Sequence, residues 1–190
     1  MMAWSLPQSA VIGGVEYQLN TDYRDMLEII AYLNDPEYPE LLRWKIAVAL
    51  FFEHEDLQEG EFPEEHLQEA MEYLADFITA GDNSSAPTPK LLDWEQDAHI
   101  IVADVNKVAG AEIRAMPYLH WWTFLSYFMA IGEGQLLTLV SIREKIRAGK
   151  SLEKWEREYY QKNPEKVNLR TKYLAEEEAE LDELKQLLGG

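Results

Sequence analysis

Four histidines, His54, His66, His99 and His120, are the side chains best suited to hold a metal or move a proton near neutral pH. None lies three residues after a glutamate, so the Glu-x-x-His element of di-iron bundles is absent, and no His-Glu-x-x-His occurs. His54 and His66 sit among acids, where a plain surface histidine is the simpler reading. Asp93, Glu95, Asp97 and Asp104 have part of the spacing of a calcium loop. Its sixth position would be Ala98 instead of glycine, and its twelfth Asp104 instead of glutamate, so that reading fails. There is no phosphate loop, dinucleotide fingerprint or Gly-x-Ser-x-Gly elbow. With zero cysteines, thiolate zinc sites, disulfides and cysteine nucleophiles are excluded. The 35 Asp and Glu residues pair by chance, so paired acids carry no weight. No catalytic residue, metal ligand or cofactor is predicted, and the chain does not read as an enzyme.

The distinctive patch is instead His120-Trp121-Trp122-Thr123-Phe124, continuing through Leu125, Tyr127, Phe128 and Met129. Adjacent tryptophans on a helix point about 100° apart and cannot both face one narrow stripe. One reading is a wide buried helix in a crowded bundle. The other is a partly exposed aromatic anchor for a protein partner, made of His120, Trp121, Trp122, Phe124 and Tyr127, because aromatic residues are enriched at interfaces. His120, at the helix start, is placed to cap that helix, to donate to a neighbouring carboxylate, or to sit at the rim. On the next helix, Arg143, Lys145 and Arg147 are free to pair with the acidic helices of residues 1–90 or with another subunit's.

These residues need a scaffold, and composition supports one. The chain has 190 residues, 47% of them apolar and 27% charged, with six Trp, ten Tyr and six Phe, enough for a substantial core. The formal charge of −18 argues against duplex nucleic acid and anionic lipid as partners. It is unevenly spread. Residues 1–90 carry 4 basic and 18 acidic groups, net −14, whereas 143–172 carry ten basic and five acidic, net +5. Such a bipolar surface suits self-association or a charged partner. The amino-terminal residues lack the basic and long apolar regions of a signal peptide. The most apolar runs, 44–52 and 119–131, fall short of the ~20 residues that span a bilayer.

Gly13-Gly14 between Ala10-Val11-Ile12 and Val15–Leu19 predicts a tight hairpin, with Val15, Tyr17 and Leu19 on one face. The rest reads as helices. Thr21 or Asp22 caps one to about Asn34, with Tyr23, Met26, Leu27, Ile30 and Leu33 as its stripe. Pro39 opens the next, to about Phe52, apolar on nearly every side and therefore expected to be central. An acidic loop follows, then a helix from Pro63 to about Ala80, ended by Gly81. Residues 81–90 form a Pro- and Ser-containing linker. Asp93 caps a helix carrying Trp94, Ala98, Ile101, Val105 and Val108, ended by Gly110. Helices at about 119–131 and 136–148 come next, then a polar, partly helical stretch. The expected organisation is a mostly α helical bundle with a short N-terminal β-hairpin. Residues 1–80 form the hairpin plus an acidic helical half. Residues 91–172 form the Trp-rich half, and 173–190 an acidic C-terminal helix or tail.

The order of these motifs resembles the siphophage tail assembly chaperones of Gram-positive hosts, the phage gene-product-fifteen family. The matching pieces are Asn20-Thr21-Asp22-Tyr23-Arg24 after the Gly-turn hairpin, Asp93-Trp94-Glu95-Gln96-Asp97 after the linker, Leu119-His120-Trp121-Trp122-x-Phe124, and Ile142-Arg143. Residues 106–118 are a weaker version of the family's aromatic and acidic segment. The resemblance covers nearly the whole chain except its C-terminal tail. It implies a non-enzymatic bacteriophage or prophage protein that keeps the tape measure protein soluble, helps recruit tail-tube protein and works beside another tail assembly chaperone in virion assembly. It also implies residence in the host cytoplasm and absence from the mature virion. Asp22, Arg24, Asp93, Trp94 and Asp97 are the motif positions it singles out. A homo-oligomer is compatible with this role.

An acidic mimic of nucleic acid that inhibits a host DNA-binding protein is the alternative, resting on the net −14 of residues 1–90. It requires acids spaced along a phosphate-like path, whereas these fall mostly on the outer faces of amphipathic helices. A carboxylate hydrolase is the weakest reading.

Overall fold

The hairpin forms where the two glycines demand it. In the computed structural model, which describes residues 5–53, 62–81 and 91–170, Gly13 and Gly14 adopt φ of +59° and +82°. They join β1 (Ser9–Ile12) to β2 (Val15–Leu19), with Ile12 opposite Val15. Ala10, Ile12, Tyr17 and Leu19 point into the core, while Val15 stays exposed. The Gly13 N–H donates to Glu69, and the His66 ring lies where a Gly13 Cβ would be, so the turn is seated on the segment that holds residues 66–69.

A third strand was not expected. Helix α1 (Tyr23–Leu33) is capped by Asp22, whose carboxylate accepts from the Arg24 N–H. Helix α2 (Glu40–Phe51) follows Pro39. Its last residues then leave helical geometry: Phe52 and Glu53 form β3, paired antiparallel with Leu19 and Gln18. The open edge of β2 captures a backbone that local apolar pattern assigns to the helix.

Helix α2 also corrects an expectation. It is not central. Ala47, Val48 and Phe51 are fully buried, but Leu41 is 56% exposed and Leu42 43% exposed, with Tyr38 and Leu50 also outside. The helix packs between α1 and α3 (Leu67–Ile78) and leaves one apolar side in solvent.

Pro63 starts a single 3-10 turn, Glu64–His66, before α3 begins. Gly81, at φ +79°, closes that end by donating its N–H to Asp76. Beyond the linker come α4 (Ala98–Ala109), α5 (Trp121–Met129), α6 (Gln135–Arg147), α7 (Lys154–Lys162) and α8 (Pro164–Val167). Gly110, at φ +66°, ends α4 as predicted.

One hydrophobic cluster takes side chains from β1 to α6, on both sides of the linker segment. A smaller one joins Leu139, Ile142 and Val167. The protein is mostly helical with a small N-terminal sheet. Among the described residues no helix is long and apolar enough to cross a membrane. The predicted acidic loop at 54–61, most of the linker and the C-terminal helix from 173 lie outside the described residues.

Candidate functional site

The aromatic motif begins where two helix starts meet. Asp22 and His120 form an isolated antiparallel bridge: the Tyr23 N–H donates to Leu119 O at 2.9 Å and the Trp121 N–H to Thr21 O at 2.7 Å. The second oxygen of Asp22 accepts from the Leu119 N–H. Arg24 pairs with Asp22 at 2.9 Å, donates to Met116 O and lies over the Tyr23 ring. Asp22 and Arg24 therefore fasten α1 to the strand-like approach to α5.

His120 is the N-cap of α5, one of the three roles its position allows. Its Nδ1 accepts from the Trp122 N–H at 3.0 Å, and its Nε2 lies 3.1 Å from Pro7 O, which requires a proton on Nε2. Burial holds its pKa below the ordinary 6.5, and the Pro7 contact opposes this only in part, so the neutral ring that this bonding needs is favoured.

Both indoles are inside. Trp121 is 1% exposed and Trp122 8%, and each N–H donates at 2.9 Å to a carbonyl at the end of α3, Ile78 for Trp121 and Phe77 for Trp122. Trp121 stacks on Phe124 and meets the edge of Trp94; Trp122 packs on Phe77. Phe124 is also buried, stacked on Tyr23, and Tyr127 is half-buried. The wide buried helix is thus the arrangement adopted, and the exposed-anchor expectation for Trp121 and Trp122 is corrected. Helix α5 is covered on two sides, by the end of α3 and by Trp94, so indoles 100° apart both find cover.

The second motif, 93–97, is a fastener too. Asp93 Oδ1 accepts the N–H groups of Glu95 and Gln96 and turns the chain into α4. Gln96 holds the 165–170 segment through Glu165 O, Asn168 O and the Arg170 N–H. Asp97 is 2% exposed and receives Arg143 bidentately at 2.6 and 2.8 Å. Arg143 gives its three other N–H groups to Leu91 O, Lys166 O and Val167 O. A guanidinium has five N–H donors, so none is left for an outside partner. Among the described residues Arg143 pairs with Asp97 and with no acid of 1–90, and Lys145 pairs with Glu156.

Asp104 was missed as a structural residue. It is 2% exposed, accepts from the Leu136 N–H at 2.9 Å and caps α6 from a neighbouring helix, with Lys107 at 2.6 Å. Burial raises its pKa, but the bonds from Lys107 and Leu136 outweigh this and hold it below the ordinary carboxylate value. The available signal was an acid on the apolar stripe between Ile101 and Val105. In the weak-match segment, Asn106 bridges Glu112 and the Ile113 N–H, and Arg114 holds Glu112 down at about 2.

Two surface grooves lie beside these motifs. One, of about 600 Å³, runs between α1 and the 93–95 turn and is lined by Leu27, Ile30, Trp94, Glu95 and Arg170. The other, of about 470 Å³, is mostly apolar and is lined by Leu92, Phe128, Met129, Leu136, Leu137 and Val140. Met129 is 76% exposed there and Leu137 47%. No group of three metal-binding side chains occurs among the described residues. His66 does not join His120: it lies under the hairpin turn.

These features define a helical protein whose polar motifs bind its own segments together and whose open apolar surface lies elsewhere. A family model described as bacteriophage Gp15 protein matches residues 2–169, and the chain belongs to that family. The family is generally considered related to tail assembly and has no known catalytic activity. No curated protein and no solved structure matches the chain.

Proposed function

We propose that the protein is a phage tail assembly chaperone that keeps the tape measure protein soluble and helps recruit tail-tube subunits, working in the host cytoplasm beside another assembly chaperone and leaving before the virion matures. The observation that carries this reading is the apolar groove at the C-terminal end of α5. A holdase needs open apolar surface to cover its client and a high net charge to keep the complex in solution. The groove supplies the first and the charge of −18 the second. An amphipathic helix laid into such a groove anchors through residues at i, i+3, i+4 and i+7. Met129 suits a site that must accept many similar sequences, because its side chain adapts to irregular surfaces. Half-buried Trp94, backed by buried Trp121, holds the wall of that groove: Trp94 packs on Trp121 and on Phe128, and Phe128 lines it.

Co-expression with the tape measure protein of the same genome tests the reading. The expected result is a rise in soluble tape measure protein and its recovery with the chaperone at moderate salt. Recovery of neither tape measure nor tube protein would refute it.

A further inference from the structure

We infer that the outer edge of β1 takes up an extended segment of a protein partner as a fourth strand, a segment that carries a lysine or arginine two positions from a β-branched or aromatic residue. The strand order is β1-β2-β3, so β1 is an edge. The Leu19 N–H donates to Gln8 O, and Ala10 lies opposite Tyr17 and Ile12 opposite Val15. Hydrogen-bonded and non-bonded positions alternate along an antiparallel pair, so Ser9 and Val11 turn their N–H and C=O groups away from β2. No hydrogen bond among the described residues reaches those four groups. Within Ser9–Ile12 there is no proline, no charged residue and no break in register, the usual guards of an edge strand.

The chemistry of the added strand follows from what stands beside those positions. Val11 is 62% exposed on the outer face of the sheet, and a β-branched or aromatic residue opposite it covers it. Two residues back, the Ser9 hydroxyl donates to Glu16 at 2.7 Å and sets that exposed carboxylate beside β1. Among the described residues Glu16 has no cation for a partner, since this neutral hydroxyl is its one hydrogen-bond donor. The three strands carry Glu16 and Glu53 and no lysine or arginine, and the titratable groups that seat the turn are His66 and Glu69. A cation opposite Ser9 is therefore attracted and an acid there repelled. Side chains two apart share one face of a strand, which fixes the spacing of the two residues. In strand addition of this kind main-chain bonds supply affinity and alternate side chains supply choice. None of these residues lines the α5 groove, so the inference stands or falls separately from client capture.

Titration of the full chain with the capped peptide Thr-Val-Thr-Lys-Thr-Val-Thr, which reads the same in both directions, tests it, with backbone amides followed by NMR. A second peptide has glutamate in place of lysine. In the protein alone the Ser9 and Val11 amides should exchange freely. The lysine peptide should shift and slow them, saturating with a Kd near about 1 mM, and the glutamate peptide should bind more weakly. Glu16→Gln should weaken the lysine peptide about two- to fivefold and remove its advantage over the glutamate peptide. Val11→Pro deletes an N–H that β2 does not use, so circular dichroism should be kept while affinity falls at least about tenfold. Should Val11→Pro unfold, the peptide preference and its loss in Glu16→Gln still decide. Amides of Ser9 and Val11 already slow in the protein alone, held by a second copy or by another part of the chain, would overturn the inference. So would their silence at about 10 mM lysine peptide, equal binding of the two peptides, or full affinity in folded Val11→Pro.

Discussion

Replacing Arg143 by methionine removes five donors at one stroke and leaves Asp97 charged in a nearly dry site. The two side chains are 4% and 2% exposed, and their bonds are 2.6 and 2.8 Å long. After the change Asp97 retains the Asp93 N–H at 2.9 Å but no countercharge. Breaking a buried pair from one side costs about 3–5 kcal/mol, because the remaining charge is uncompensated. The carbonyls of Leu91, Lys166 and Val167 also lose their donor, so the upper part of that range applies. For a chain of this size 1 kcal/mol shifts Tm by about 2–4 °C, so a fall of about 10–20 °C is expected. Asp97→Leu in the Arg143→Met background removes the stranded charge and should recover about half of the loss. Thermal and urea unfolding followed by circular dichroism give both numbers. A single-variant loss below about 1 kcal/mol, or additive losses in the double variant, would refute the reasoning.

Trp121→Ala and Trp122→Ala should each cost about 3–5 kcal/mol in urea unfolding, since each empties core volume and removes an indole N–H bonded to a carbonyl at the end of α3. A loss confined to client capture, with stability unchanged, would contradict their burial. Gly134→Ala should cost about 1–3 kcal/mol although φ is −176° there, because its Cβ would lie 2.6 Å from the buried Asp104 carboxylate. Gly132→Ala, which meets nothing within 4 Å, should be nearly silent in the same melts. The lowered His120 pKa makes the unfolded chain take up a proton first, so stability should fall as pH drops below about 6.5. His120→Asn keeps a capping acceptor without that titration, and should flatten the slope of urea midpoint against pH between 7 and 5. Asp104, held below 3.8, adds a further loss below about pH 4.

Much of the fold is legible in short-range pattern, and what is not legible depends on partners distant in sequence. Gly13-Gly14, the Asp22 cap and Gly110 each specify a local backbone geometry, and each appears where its residues require. The third strand depends on β2 more than thirty residues earlier, and Phe52 alone carries no sign of it. Burial of both tryptophans depends on the α3 terminus and on Trp94, which no helical period of α5 encodes. The motif positions were found, but their work is internal. Asp97 and Arg143 lie 46 residues apart, and only the place of Arg143 on the stripe of Leu136, Leu139 and Val140 hinted that it faces inward. The exposed side of α2 was read as core because an apolar helix shows its composition and not its neighbours.

Amide hydrogen exchange of the protein, with and without a soluble helical segment of the tape measure protein, addresses the proposed holding role most directly. Bound client should slow exchange at Leu91–Leu92 and across 128–140, the rim of the α5 groove, and Met129→Glu should abolish that change. Unchanged exchange across the groove, in a sample where the segment is demonstrably bound, would contradict the account.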